Sequence, residues 1–331
     1  MKIVSIIGTR PQYIKVKPIY DYCKINNIDH YIIDTNQHYS NSVSKNIIDN
    51  LNIKIDLNLN ARGSNEIEFI GDASKKIQDA LLKMKDIYVL IYGDTNSSFA
   101  AALACYKNKI KFAHIEAGAR CGDINVPEEV NRIYIDSVSH VNYCTSELDS
   151  LNVERSIVSG DLEYELLKDL KPTGDYSEFG LMTIHRQNNT NRESVYKIFN
   201  FCKELGPILL PLHHRLKSQE WFNDIDIPKN ITIIDPLNYE DMVNVMESCR
   251  FILTDSGGVL KTCPFFGKRT LILRDHVGWV DTIKKGYARI CKFTEDDINW
   301  LLKGNLDRDR NFYSSDSRAS EIIIKKIIDN G

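Results

Sequence analysis

No stretch of this chain approaches the roughly eighteen consecutive apolar residues that a membrane-spanning helix needs, so no membrane span is expected. No basic excess is present either: 42 lysines and arginines stand against 45 acids, for a net charge of −3. That balance argues against a surface built for nucleic acid, and no acidic tail marks a solvating arm. The cysteines at positions 23, 105, 121, 144, 202, 249, 263 and 291 form no CxxC pair. Metal-ligand spacing is also missing. His213-His214 is the one adjacent histidine pair, and strand neighbours point to opposite faces, so no metal site is expected. The apolar run IVSIIG after Lys2 is too short for a signal-peptide core and breaks into a Gly-Thr-Arg turn. The thiols are therefore expected to be reduced and mostly buried, in a cytoplasmic protein. Internal repeats are absent, and the general Asn, Ile and Lys bias says nothing about chemistry.

What is present is alternation. At 331 residues the chain exceeds a comfortable single core, which suggests two domains. Apolar strand-like runs alternate with helical stretches throughout. The first half offers KIVSIIG, HYIIDT, YVLIYGD, KFAHIEA and VNYCTS; the second offers FGLMTIH, GPILLPLHH, NITIIDP, RFILTDSGG and RTLILRD. Helices are expected near residues 64–83 and 97–107, with another opening near Tyr13. Regular βαβ alternation implies parallel sheets with right-handed crossovers. Two such series imply an α/β protein of two Rossmann-like, doubly wound parallel-sheet domains, joined in the polar stretch 169–178.

Five of these strands end in polar residues. KIVSII runs into Gly8-Thr9-Arg10-Pro11, YVLIY into Gly93-Asp94-Thr95-Asn96, and KFAHI into Glu116-Ala117-Gly118. GLMTI ends at His185-Arg186, and RFILT at Asp255-Ser256-Gly257-Gly258. In open α/β sheets ligands bind outside the carboxyl ends of the strands, so these ends describe a ligand cleft. Arg10 and Lys15 at a helix start, and Ser256-Gly257-Gly258 at another, suit a phosphate or diphosphate. Plain strand-to-helix turns with a serine N-cap would serve the fold equally well. Asp94 and Glu116 end successive apolar strands, where partial desolvation can raise a carboxylate and make it a base. Glu128 follows Pro127 in a helix first turn, where pairing with Arg132 at i,i+4 is the ordinary account. His185 could protonate or stabilise a leaving phosphate, and His213 is a weaker case of the same kind.

Read together, the motifs resemble the non-hydrolysing UDP-N-acetylglucosamine 2-epimerase family. They are GTRPQYIK at 8–15, QHYS at 37–40, GDTNS at 93–97, HIEAGAR at 114–120, PEEVNR at 127–132, IHR at 184–186, PLNY at 236–239, TDSGG at 254–258 and LRD at 273–275. They run in order over nearly the whole chain. The GTRPQ opening is similar to members acting on modified or 6-deoxy hexosamines. The resemblance implies the glycosyltransferase-B architecture, with residues 1–168 on the sugar side and 169–314 binding UDP. It implies an interdomain active site, and a C-terminal helix at 315–331 packing back on the first domain. It also implies a homodimer, no redox cofactor, and a place in nucleotide-sugar supply for polysaccharide synthesis. The implied reaction is C2 epimerisation of a UDP-N-acetylhexosamine, through elimination of UDP to a 2-acetamidoglycal and re-addition.

Carried onto this sequence, the resemblance makes Asp94, Glu116 and Glu128 the proton-transfer set, with His185 assisting the leaving group. Arg10, Lys15, Arg186, His213, Ser256, Gly257, Gly258, Thr262, Arg274 and Asp275 fall to the substrate. Gln37 and His38 match a second, regulatory sugar-nucleotide site of some relatives. Departures from the family pattern cluster where ribose should bind. Thr262 stands where a ribose-binding glutamate is usual, and the loop His276-Val277-Gly278-Trp279-Val280-Asp281 lacks its internal glutamate. His185-Arg186-Gln187-Asn188-Asn189 likewise replaces HRxEN. A lost bidentate ribose contact weakens nucleotide binding by about 1–3 kcal/mol. Alternatives are a hydrolysing epimerase or glycosyltransferase on the same fold, and a non-catalytic sugar-nucleotide binding protein.

Overall fold

The computed structural model describes residues 1–37, 48–170, 177–275, 277–313 and 318–330. The chain divides into two units, Met1–Asp169 with Tyr313–Gly331, and Leu170–Phe312. The first holds strands β1 (Lys2–Ile7), β2 (His30–Asp34), β3 (Leu57–Asn58), β4 (Ile87–Tyr92), β5 (Phe112–Ala117), β6 (Val141–Cys144) and β7 (Ser156–Val158). They form one parallel sheet in the order β3-β2-β1-β4-β5-β6-β7. Its helices are α1 (Arg10–Ile25), α2 (Glu66–Leu81), α3 (Asn96–Lys107), α4 (Pro127–Val138), α5 (Glu147–Ser150) and α6 (Leu162–Leu170). The apolar runs became strands because both faces of the sheet are covered: Val4, Ile6, Val89 and Ile91 on one face and Ile3, Ile7 and Leu90 on the other are fully buried.

Local chemistry sets the helix starts. Asn65 caps α2 by accepting from the Glu68 N–H, and Pro127 occupies the first turn of α4, where its missing N–H costs nothing. α1 opens at Arg10, earlier than the Tyr13 expected from sequence, because the Gln12 carbonyl accepts the Thr9 N–H. α3 carries Ala100, Ala101, Ala102 and Ala104, all buried, and packs against α2, α4, β1 and β4. Small side chains let it sit close under the point where the strand order reverses.

The second unit repeats the plan with β8 (Gly180–Thr183), β9 (Ile208–Pro211), β10 (Ile231–Ile234), β11 (Ile252–Thr254), β12 (Thr270–Ile272) and β13 (Ala288–Ile290). The order is β10-β9-β8-β11-β12-β13, again all parallel. Its helices are α7 (Arg192–Cys202), α8 (His214–Lys217), α9 (Tyr239–Ser248), α10 (Gly257–Phe266), α11 (Val280–Lys284) and α12 (Glu295–Leu301). The core joins Met182, Leu210, Leu253 and Leu271 of the strands to Ile198, Phe199 and Leu301 of the helices. A final helix, α13 (Ala319–Asn330), belongs to the first unit and packs on α1. Glu165 of α6 accepts from the Ser320 N–H and hydroxyl, and the Tyr143 hydroxyl donates to the Ile323 carbonyl.

All ten strands read from sequence exist; β3, β7 and β13, of two or three residues each, were not legible. Seven of the eight cysteines are buried, and Cys121 is partly exposed. Among the described residues no helix is long and apolar enough to cross a membrane.

Candidate functional site

Each unit places its chemistry at the strand-order reversal, where open α/β sheets bind ligands. In the first unit that is the exit of β1 and β4. Gln12 is the staple. Its carbonyl oxygen accepts from the Gly8 and Thr9 N–H groups at 2.8 and 3.0 Å. Its amide donates to the Tyr92 carbonyl, the Ser98 hydroxyl and the Thr95 hydroxyl. A methyl group at Gly8 would overlap the Thr35 and Ser97 hydroxyls, so the turn requires glycine there. Arg10 sits half-buried at the start of α1, where burial pulls its guanidinium below the ordinary arginine range.

Lys15, one turn further on, forms an ion pair with Glu116. Glu116 is 8% exposed and lies in the left-handed region at φ +66, where the β5–β6 register slips between Ile115 and Ala117. Such an irregularity re-aims a side chain at a strand end, and the conformation is costly for a residue other than glycine. At the neighbouring exit Asp94 pairs with Arg132 of α4. Burial pushes the Asp94 carboxyl up, but Arg132 and Lys15 outweigh it and hold Asp94 below the usual carboxylate range. The raised base expected from desolvation is therefore not what Asp94 provides; two cations reverse the sign.

Helix α4 supplies most of the rest. Asn131 donates to the Asp94 carbonyl at 3.0 Å, fixing the β4 exit turn. The Arg132 fork is shared, with Nη2 on Asp94 and Nη1 2.8 Å from Glu129. This corrects the simple expectation of a Glu128–Arg132 pair, since the helix turns Arg132 towards the β4 exit. Glu128 stays half-buried in the first turn of α4. Asp136 lies 2.6 Å from His114 Nδ1 and 2.7 Å from Arg120, and His114 Nε2 is 2.9 Å from the Gly93 carbonyl. Burial would raise Asp136, but His114 and Arg120 hold it below its usual range.

The second unit builds its site on Asp255, which is wholly buried at the end of β11. Its carboxylate accepts the His185 and Arg186 N–H groups at 3.0 and 2.9 Å and the Asn189 amide at 3.2 Å. The β8 exit is thereby tied to the β11 exit. His185 Nε2 stands 3.4 Å from Asp255 and makes no hydrogen bond among the described residues. Burial, with help from Arg186, Arg215 and Arg274 and against Asp255, pushes the imidazole below its ordinary value. The His213 ring meets it edge-on at 5.5 Å. Ser256 caps α10, and the space a side chain on Gly257 would fill is bordered by Arg274 and the Trp279 indole nitrogen at 3.6 and 3.7 Å. Lys261, 1% exposed, lies 5.5 Å from the Trp279 ring centroid. The second unit thus assembles a helix N-terminus, two arginines and an imidazole, an anion cradle.

His185, Arg186, Ser256, Gly257 and Arg274 come together in this way, with His213 adjacent and Gly258 exposed on the first turn of α10. Thr262 is buried in α10, and its hydroxyl donates to the Gly258 carbonyl at 3.0 Å. Asp275 is exposed. The Gln37 carbonyl accepts from the Ser97 N–H and hydroxyl at the start of α3, while His38 lies outside the described residues. Residues to which the sequence reading gave no role of their own are Gln12, Glu129, Asn131, Asp136 and Asp255, the last named there only as part of a strand-end turn. For Glu129 and Asp136 a signal existed: with Arg132 they recur at i, i+3 and i+7, which places all three on one face of the helix.

Residues 22–327 match the family model described as UDP-N-acetylglucosamine 2-epimerase. A UDP-N-acetylglucosamine 2-epimerase homolog of Methanococcus maripaludis is 34% identical, over 90% of each chain. The UDP-2,3-diacetamido-2,3-dideoxy-D-glucuronate 2-epimerase of Pseudomonas aeruginosa is 34% identical, over 86% of this chain and 87% of its own. The crystal structure of the Methanocaldococcus jannaschii UDP-GlcNAc 2-epimerase with UDP-GlcNAc and UDP superposes at TM-score 0.87, with 30% identity and full coverage of both chains. Shared sequence over nearly the whole length, and a shared two-sheet framework, place this chain in the UDP-N-acetylglucosamine 2-epimerase family.

Proposed function

We propose that this isomerase inverts C2 of a UDP-N-acetylhexosamine by eliminating UDP across C1–C2 and adding it back after the C2 proton has changed face. The C2 hydrogen of an acetamido sugar is too weakly acidic for a carboxylate to remove while the C1 substituent stays. Loss of the diphosphate oxygen from C1 couples the two bond breakages and leaves a neutral 2-acetamidoglycal. Such a reaction needs ionised carboxylates at the sugar and cations with N–H donors at the departing diphosphate.

The observation that carries this reading is the pair of ion pairs at adjacent strand exits, Asp94 with Arg132 and Glu116 with Lys15. Asp94 is held as an anion by its neighbouring cations and Glu116 is paired with one of them, so that both carboxylates stand beside groups that stabilise the form able to take a proton. We assign Asp94, Glu116 and Glu128 to proton transfer in the first unit. In the second, Arg186, Arg274 and the Ser256-Gly257-Gly258 turn hold the diphosphate, with His213 as a further contact; Arg10, at the start of α1 in the first unit, is also assigned to the substrate. A neutral His185 can donate a hydrogen bond to the diphosphate, and the anion's charge favours its protonation as UDP departs. Thr262 contributes packing, because its own helix takes the hydroxyl. A homodimer in the cytoplasm supplying nucleotide sugar for polysaccharide completes the reading.

The test is incubation with a panel: UDP-N-acetylglucosamine, its 6-deoxy forms, and UDP-2,3-diacetamido-2,3-dideoxy-D-glucuronate, the sugar nucleotide named for the Pseudomonas aeruginosa relative. One member should give a mixture of C2 epimers still joined to UDP. Stoichiometric UDP with free sugar, or binding without turnover across the panel, would contradict the proposal.

A further inference from the structure

Glu129 is a carboxylate 2% exposed on the first turn of α4. An acid there is favoured by the helix N-terminus, and a solvent-facing one would suffice. Instead Glu129 turns inward and accepts three donors from two directions. The Cys121 and Gly122 N–H groups, in the turn after β5, reach it at 3.0 and 3.1 Å. Arg132 Nη1 reaches it at 2.8 Å. The other arm of the same guanidinium, Nη2, is on Asp94. One buried carboxylate therefore connects the turn beyond Glu116 to the cation that holds Asp94.

A guanidinium fork can close on one carboxylate with both arms, which fixes and stabilises the anion strongly. Glu129 prevents that by occupying one arm. Asp94 is left with a single-arm contact, enough to keep it ionised and oriented, while its side chain stays 31% exposed. We propose that Glu129 is a positioning residue for C2 epimerisation, dividing Arg132 between itself and Asp94 and locking the Cys121–Gly122 turn beside them. The proposal rests on the reading that Asp94 exchanges the C2 proton. The charged groups bearing on Asp94 are Arg132, Glu129 and Asp136 from α4, Lys15 from α1, and Glu116 from β5 through Lys15. The Cys121 thiol lies against Glu129 and Arg132.

The test compares Glu129→Gln and Glu129→Asp with the wild-type chain in kcat, KM, the acid limb of the pH–rate profile and solvent-deuterium entry at C2. Glu129→Gln removes the charge and frees the Arg132 arm. Its kcat should fall by about tenfold to a hundredfold with KM changed less than about threefold, and its acid limb should move to lower pH. Glu129→Asp keeps the charge but cannot span both partners. Its kcat should fall by about threefold or more with the acid limb unmoved. Wild-type kcat and acid limb in Glu129→Gln would overturn the proposal. So would a fall in kcat with the acid limb unmoved in both variants, which marks a merely structural role. If Glu129→Gln does not fold, by circular dichroism, Glu129→Asp decides alone by the division between kcat and KM: a fall in kcat with KM kept supports the proposal, and wild-type kcat, or a KM raised as much as kcat falls, overturns it. A wild-type chain that turns over no panel substrate defeats the epimerase reading itself. Wild-type deuterium entry with indistinguishable variants defeats only the role of Glu129.

Discussion

Burial alone would raise Asp94, and a lone strand-end aspartate could be read that way from sequence. Arg132 and Lys15 reverse the outcome and keep the group ionised to lower pH than an ordinary carboxylate. The sign follows directly: removing a neighbouring cation removes a preference for the charged form, so protonation moves to higher pH. Arg132→Gln should shift the acid limb of kcat upward by about one pH unit or more, the size of a typical close-pair effect. A limb that stays in place would show that Asp94 does not govern it. At this scale the sequence exposed the acids but not their partners. Asp94 and Arg132 are 38 positions apart, and only the packing of α4 beside the β4 exit brings them together. His185 is similar. Its place after an apolar run was legible, whereas the buried Asp255 carboxylate organising its backbone was not, because an aspartate before Ser-Gly-Gly reads as part of the turn.

Among the elements, α10 shows how a departure from pattern can be absorbed. Thr262 stands on the helix that opens the anion cradle, but its hydroxyl reaches back to the Gly258 carbonyl, as mid-helix threonines do. Thr262→Val, nearly the same shape, should therefore leave UDP affinity within about threefold by calorimetry, since no ligand hydrogen bond is lost. Weakening beyond tenfold would show that the hydroxyl turns to the nucleotide. Long strands and capped helices were legible because period and cap chemistry repeat over many residues. The edge strands β3, β7 and β13 were not, since their partly exposed residues form no apolar run, whereas β11 and β12, also only three residues long, are wholly buried and read as apolar runs. The turn after β5 was half legible. Gly118 lies at φ +82 and a methyl there would overlap the Asp149 carbonyl, so its glycine is required, but Glu116 adopts a similar backbone with a full side chain.

Over the whole molecule the same strand order appears twice, with polar residues gathered at each reversal. That repetition is why the two-sheet α/β plan could be read from alternating apolar runs. Which chemistry each reversal carries followed from side-chain type: the first is dominated by carboxylates balanced against cations, the second by arginines, histidines and a helix N-terminus. The family match agrees with the plan, and the proposed elimination asks for both kinds of group. Its most direct test is the reaction in heavy water, followed by NMR at C2 of the sugar. Every product molecule should carry solvent deuterium at C2, with a trace of free UDP from glycal that escapes before re-addition. Product formed with its original C2 hydrogen intact would contradict the account.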